Sequence, residues 1–64
     1  MENTLPELRR EYGWSQQKLA DALGVSRQTV ISIEKGRFDP SLPLAFRLAS
    51  LFGCTIADIF TPDS

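Results

Sequence analysis

Apolar residues recur at intervals of three and four along most of the chain, which is the spacing of an amphipathic α-helix. The segment 44–52, LAFRLASLF, shows this spacing most clearly, since Leu44, Leu48, Leu51 and Phe52 fall on it. Alternation of apolar and polar residues with a period of two never persists, and the β-branched residues are scattered. The pattern therefore predicts an all-α fold of five short helices.

Residues that start and stop helices separate the five segments. The predicted N-caps are all hydroxyl residues: Thr4, Ser15, Ser26, Ser41 and Thr55. Glycine ends the first four helices, and Pro62 prevents continuation of the fifth. Glu7 follows Thr4 by three residues, which predicts a capping box, and Asp58 follows Thr55 at the same spacing. On the first helix the pattern predicts one shared face for Leu5, Leu8 and Tyr12.

The link between the second and third helices is short enough to fix how they cross. Three residues, GVS at 24–26, join them, so the helices are expected to cross steeply and touch near the corner. Ala20 is small enough to allow that approach, and Gly24 provides the left-handed conformation of the turn. Five apolar residues surround the corner: Leu19, Leu23, Val25, Val30 and Ile33. This is the spacing of a helix-turn-helix motif over 16–35.

The sequence resembles the Cro/repressor-type helix-turn-helix family, also called the XRE family. Two segments carry the resemblance, LRREYGWSQQKLADALGVSRQTVISIEKGRFDPSL and LAFRLASLFGCTIADIF, and together they place its core at 5–60. The resemblance implies one compact, five-helix, lambda-repressor-like DNA-binding domain over 1–64. It also implies a transcriptional regulator whose third helix enters the major groove. A repressor is the preferred interpretation, and an activator is the alternative.

The outward face of the third helix carries the candidate base contacts. With Val30 pointing at the core, Gln28, Ser32 and Lys35 lie about 140–200° away and Ile31 about 100° away. Arginine and glutamine in the first turn can make paired hydrogen bonds to the edges of guanine and adenine, and an exposed isoleucine can contact a thymine methyl group. An ordinary solvated helix face is the alternative. The DNA interpretation is preferred, with base contacts from Arg27, Gln28, Ile31 and Ser32.

Phosphate contacts are expected beside this helix. The resemblance implies one from Gln16, where the amides at the start of the second helix also favour an anion. The further candidates are Gln17, Ser26, Thr29, Lys35 and Arg37. Lys18 and Arg10 are interpreted as solubilising charges.

The overall charge of the chain does not favour binding to DNA, because the net charge is −1 and the isoelectric point is about 5.1. The acidic residues lie mostly near the two chain ends, at Glu2, Glu7, Glu11, Asp58 and Asp63. Their separation from the third helix reconciles acidity with DNA binding, and it predicts modest nonspecific affinity.

Glu34 lies close to the core face of the third helix, where a carboxylate is costly unless it is paired. In the resembled family a cation from the first helix meets this acid, and Arg9 occupies the matching place. The role implied for the pair Arg9–Glu34 is structural.

The composition argues against an enzyme. The chain has no histidine and one cysteine, Cys54, so the usual catalytic and metal-binding sets cannot be assembled. Cys54 is interpreted as a core filler in a reducing cytoplasm. No cofactor, metal or small-molecule ligand is expected, and no membrane span or signal peptide is predicted.

A second apolar face on the fourth helix predicts a partner, because Phe46 lies about 160° from Leu48. The candidates for a homodimer contact are Phe46, Leu51, Ile56, Ile59 and Phe60, and completion of the core is an equally good interpretation for each. A homodimer would bind a double-stranded DNA operator with two-fold symmetry. The alternative is an antitoxin or another regulator that binds a protein partner with the same fold. The end of the sequence at Ser64, four residues after Phe60, favours a stand-alone regulator.

Overall fold

The computed structural model describes residues 1–61 as five helices with a two-residue strand at each end. The elements are β1 Glu2–Asn3, α1 Leu5–Glu11, α2 Gln16–Leu23, α3 Arg27–Glu34, α4 Leu42–Phe52, α5 Ile56–Ile59 and β2 Phe60–Thr61. The five helices confirm the all-α prediction. Pro62 and Asp63, which the sequence analysis also used, lie outside the described residues.

Serine side chains cap α2, α3 and α4 as predicted. Ser15 Oγ accepts from the Lys18 amide at 3.0 Å, and Ser26 Oγ and Ser41 Oγ accept in the same way at the next two helices. At α5 the cap is reciprocal, since the Thr55 amide donates to Asp58 Oδ2 at 3.0 Å and the Asp58 amide donates to Thr55 Oγ1 at 3.2 Å. These four helix starts were therefore predictable from local sequence.

The capping box predicted for Thr4 and Glu7 is wrong. The Thr4 side chain makes no cap bond to α1 and donates instead to the Asp58 carbonyl at 3.0 Å. Its backbone, at φ −102° and ψ 15°, is not extended as in the other four caps. Asn3 replaces it, because Asn3 Oδ1 accepts from the Leu5 amide at 3.1 Å.

The short pairing of β1 with β2 was not predicted. The two strands are antiparallel, with Glu2 opposite Thr61 and Asn3 opposite Phe60. Two residues are too few to produce an alternating pattern in the sequence. The pairing joins the start of the chain to the residues after α5.

The core lies among all five helices. Its fully buried large side chains are Leu5, Leu19, Leu23, Val30, Ile33, Leu48 and Ile59. Tyr12 was expected beside Leu5 and Leu8, but it follows the end of α1 and is 48% exposed. Its ring packs edge-on against Phe52, to whose carbonyl its hydroxyl donates at 3.1 Å.

The corner between α2 and α3 contains the left-handed glycine and the small buried residue that the sequence predicts. Gly24 has a φ of +75°, and its amide and that of Val25 both donate to the Ala20 carbonyl, at 2.9 and 3.0 Å. Ala20 is fully buried, so no side chain separates the two helices there. The corner thereby holds α3 against α2 and leaves the far side of α3 in solvent.

Candidate DNA-binding interface

The first turn of α3 projects polar side chains into solvent. Arg27 and Gln28 are exposed, whereas Val30 in the same helix is fully buried. The Gln28 amide nitrogen lies 3.5 Å from Ser32 Oγ, one turn further along. The structure therefore brings Gln28 and Ser32 together on the outward face.

Ile31 differs from its expected environment. The sequence predicts an exposed Ile31, but this residue is half-buried, as is Ser32. At about 100° from the core direction, an isoleucine on a helix lies at the edge between the buried and solvated faces. Part of its side chain is therefore accessible, at the border of the surface that Arg27 and Gln28 form.

Two hydroxyls meet at the start of α3. Ser26 Oγ accepts from the Thr29 amide at 3.1 Å and lies 2.9 Å from Thr29 Oγ1. Ser26 is exposed and Thr29 is half-buried. Both candidate phosphate contacts thus lie at one end of the outward face.

The two glutamines that begin α2 have different surroundings. Gln16 is half-buried, and its amide nitrogen donates to Glu34 Oε1 at 3.1 Å. Gln17 is exposed and donates to Asp21 Oδ1 at 2.9 Å, one turn along the same helix. Because Glu34 is the last residue of α3, the Gln16 contact shows that the start of α2 lies beside the end of α3.

The two basic residues that are candidates for phosphate contacts lie just after the end of α3. Lys35 is its C-cap, and Lys35 and Arg37 are both exposed. The Arg37 amide donates to the Ser32 carbonyl at 3.0 Å, which folds the chain back against the helix end. Gln16, Lys35 and Arg37 are therefore near the same end of α3, opposite to Ser26 and Thr29.

The structure brings Arg9 and Glu34 into direct contact. Arg9 Nε lies 2.7 Å from Glu34 Oε2, and the side chains are 12% and 7% exposed. Arg9 Nη2 lies 3.4 Å from Glu34 Oε1, and Arg9 Nη1 donates to the Trp14 carbonyl at 2.8 Å. The pair connects α1 with the end of α3 behind the outward face.

The five dimer candidates are not equivalent. Phe46 is 58% exposed, and Leu51 and Ile56 are half-buried. Ile59 and Phe60 are 1% and 5% exposed, so they are part of the core and present almost no surface to a second subunit. The assignment of these last two to a dimer contact is corrected accordingly.

The positions of three further residues were not predicted from the sequence, one exposed on α4 and two hydrogen-bonded to the ends of α2 and α3. Leu42 is 64% exposed and lies one turn before Phe46, and this spacing was visible in the sequence. Asn3 donates to the Ile33 carbonyl at 2.8 Å, and Arg47 donates to the Leu23 carbonyl. Neither hydrogen bond has a local sequence signal, because each joins residues at least 24 positions apart.

Two groups at α5 have shifted pKa values. Hydrogen bonds from the Thr55 backbone and side chain lower the pKa of Asp58. Burial, with a smaller contribution from the charge of Asp58, raises the pKa of Cys54. Cys54 is half-buried against the core, so its environment favours the thiol over the thiolate.

Two negative findings apply to residues 1–61. Their cysteine and acidic side chains form no group of three or more that is suited to a metal ion. Within the same range, no helix has the length and apolar character needed to cross a membrane.

Comparison with known families defines the class of protein. A helix-turn-helix family model of the XRE type matches residues 7–59, which include α2, the corner and α3. The chain therefore belongs to this family of DNA-binding helix-turn-helix transcriptional regulators. Transcriptional regulators are not a class of enzymes.

Individual relatives agree with this assignment over nearly the whole chain. An uncharacterized HTH-type transcriptional regulator of Methanocaldococcus jannaschii is 55% identical, covering 94% of this chain and 91% of the relative. YgzD of Bacillus subtilis, also described as an uncharacterized HTH-type transcriptional regulator, is 47% identical with the same coverage of both chains. Among solved structures, the restriction-modification controller protein C.AhdI from Aeromonas hydrophila has a TM-score of 0.77 and 34% identity, covering 88% of this chain and 85% of its own.

Proposed function

We propose that the protein is a sequence-specific repressor that binds duplex DNA with α3 in the major groove. The observation that carries this proposal is the exposed first turn of α3, where Arg27 and Gln28 project from a helix whose opposite face is buried at Val30. An arginine makes paired hydrogen bonds to guanine, and a glutamine makes them to adenine. The N-terminal residues of the second helix of a helix-turn-helix contact base edges.

The next turn of α3 completes the proposed base-reading surface. Ser32 Oγ lies 3.5 Å from the Gln28 amide nitrogen, so the two side chains can contact neighbouring base pairs. Ile31 contributes the accessible part of its side chain to a thymine methyl. Four residues thus provide two charged or amide contacts, one hydroxyl and one apolar contact.

Phosphate contacts at both ends of α3 would set its register on the duplex. At one end, the first amides of α2 at Gln16 and Gln17 have no acceptor within their own helix and favour an anion. Lys35 and Arg37 are near that same end. At the other end the hydroxyls of Ser26 and Thr29 are the candidates. These cations and amides would favour DNA binding by an acidic chain. Acidic residues are also near this end of α3, because the Met1 amino group, next to Glu2, donates to the Gly36 carbonyl and lies 3.2 Å from Asp39 Oδ1.

We further propose that the protein acts as a homodimer on an operator with two-fold symmetry. Leu42 and Phe46 lie one turn apart on α4 and are 64% and 58% exposed, which is unusual for two large apolar side chains that lie side by side. Leu51 and Ile56 are half-buried and can add to the contact. A two-fold axis through such a patch would relate two α3 helices by the same symmetry as the two half-sites of the operator.

A protein partner is the second candidate function, as in an antitoxin. The observation that favours it is the same apolar pair, Leu42 and Phe46, since a different protein can cover this patch as well as a second copy can. DNA binding by the isolated chain separates the two functions.

Selection from a library of random duplexes tests the main proposal. The expected product is one enriched sequence with two-fold symmetry, whose half-sites are about one helical turn apart. The Arg27→Ala variant should lose enrichment at one base-pair position in each half-site, whereas Arg10→Ala, which removes the same charge from exposed α1 surface, should recover the parent sequence. Absence of any enriched sequence from folded protein would refute the proposal.

A further inference from the structure

A side chain from outside the helix-turn-helix holds the end of α2. The guanidinium of Arg47, in α4, donates to the carbonyl of Leu23, the last residue of α2. That carbonyl is one of the four at a helix end that have no partner within the helix. Arg47 is itself exposed, so the contact lies at the protein surface, where α2 ends beside the buried Leu23 side chain.

The backbone amides that follow α2 donate to other carbonyls and not to that of Leu23. The amides of Gly24 and Val25 donate to the Ala20 carbonyl, and the Gly24 amide also lies 3.3 Å from the Asp21 carbonyl. The last turn of α2 contains no basic residue, although a cation is favourable at that end of a helix. Arg47 supplies both the donor for Leu23 and the positive charge.

Gly24 provides a second indication that the guanidinium is seated at the corner. A Cβ added at Gly24 would lie 3.4 Å from Arg47 Nη2. Gly53, which ends α4 with a similar φ of +64°, would bring its Cβ within 4 Å of nothing. The guanidinium thus packs against the glycine that turns the chain from α2 to α3.

We propose that Arg47 is a positioning residue for DNA recognition, because it fixes the α2–α3 corner from α4. The inference rests on the proposed function, in which Arg27 and Gln28 contact base edges. Residues 24–26 form the corner and lead directly into α3. A change in the angle between α2 and α3 therefore moves the first turn of α3. Hydrogen bonds to bases require donor–acceptor distances of about 2.7–3.2 Å, whereas attraction to phosphates tolerates displacement. Loss of Arg47 should therefore reduce discrimination between sequences more than it reduces nonspecific binding.

The first test compares the loss of the Arg47 guanidinium with the loss of an equal charge elsewhere. Arg47→Met keeps much of the side-chain length and removes the donors, Arg47→Lys keeps a cation, and Arg10→Met removes a charge from the exposed surface of α1. The measured quantity is the ratio of affinities for the duplex selected by the parent and for a scrambled duplex. The ratio should fall about tenfold in Arg47→Met, recover in part in Arg47→Lys and stay constant in Arg10→Met. An unchanged ratio in Arg47→Met would overturn the positioning role.

The second test needs no DNA and separates this inference from the proposed function. The amides of Val25 and Cys54 make equivalent bonds of 3.0 Å, to the carbonyls of Ala20 and Ala49. In Arg47→Met, hydrogen exchange at Val25 should be about tenfold faster, with Cys54 unchanged. Equal changes in exchange rate at both amides, or no change at either, would show that Arg47 does not hold the corner, even if the parent selects a DNA sequence. If the parent selects no sequence, the proposed function fails, and the exchange result still decides whether Arg47 holds the corner.

Discussion

Removal of one partner from the Arg9–Glu34 pair should destabilise the protein strongly. The Glu34 carboxylate accepts from Arg9 Nε at 2.7 Å and from the Gln16 amide at 3.1 Å. Arg9 also donates to the Trp14 carbonyl at 2.8 Å. After Arg9→Ala, the buried carboxylate keeps the Gln16 contact alone. After Glu34→Ala, the guanidinium keeps the Trp14 carbonyl and loses its counter-charge.

The expected magnitude follows from the burial of the two charges. The side chains are 12% and 7% exposed, so solvent replaces little of the lost interaction. An unpaired buried charge costs about 3 kcal/mol or more. A domain of this length has a total stability of roughly 3–10 kcal/mol, so either single change removes a large part of it. The corresponding fall in Tm is about 12–24 °C.

Urea and thermal unfolding, followed by circular dichroism, measure this effect. The double change Arg9→Met and Glu34→Leu should recover most of the loss, because neither charge then remains buried. Gln16→Ala should cost about 1 kcal/mol, whereas Gln17→Ala should cost less than about 0.5 kcal/mol, since Gln17 bonds only to an exposed carboxylate on its own helix. A change in stability below about 0.5 kcal/mol for Glu34→Ala would refute the reasoning.

Three further predictions concern α4 and α5. Phe46→Glu should shift the protein from dimer to monomer in analytical ultracentrifugation without DNA, while Gln28→Glu, an equal added charge on the outward face of α3, should not; a monomeric parent at high concentration would contradict the dimer. Because hydrogen bonds to Thr55 lower the folded-state pKa of Asp58, its stabilising contribution should be complete above about pH 4 and lost as the pH falls through the lowered value. Urea titrations of the parent and Asp58→Asn at several pH values should therefore converge in acid, and a constant difference would contradict this cause. Since burial raises the pKa of Cys54, iodoacetamide should react with it more slowly at pH 8 in native protein than in urea, and equal rates would contradict its half-buried position.

The sequence allowed prediction of the features that depend on neighbouring residues. A serine cap needs only the amide three positions later, so Ser15, Ser26 and Ser41 were recognisable from local spacing. The same holds for the α2–α3 corner, since Ala20 and Gly24 act within one turn of each other. The outward direction of Gln28 followed from the helical period once Val30 was assigned to the core.

The remaining features depend on residues that are distant in the sequence. Thr4 has the local signature of a capping box, but the Asp58 carbonyl, 54 positions away, takes its hydroxyl. Phe60 is buried and lies in β2, whose pairing with β1 has no sequence signal because two residues are too few to show alternation. The hydrogen bond from Arg47 to the Leu23 carbonyl depends on how α4 packs on α2, and no sequence pattern within either helix indicates it.

The most direct test of DNA reading by α3 compares Gln28→Ala with Lys35→Ala in binding titrations at several salt concentrations, on the selected duplex and on a scrambled one. Gln28→Ala should cost about 1–3 kcal/mol on the selected duplex, relax one base-pair position in each half-site and leave scrambled DNA unaffected. Lys35→Ala should weaken binding to both duplexes and lower the salt slope by about one per half-site. Both side chains are exposed, so unfolding should be unchanged in both variants. If Gln28→Ala binds every duplex as the parent does, α3 does not read the bases.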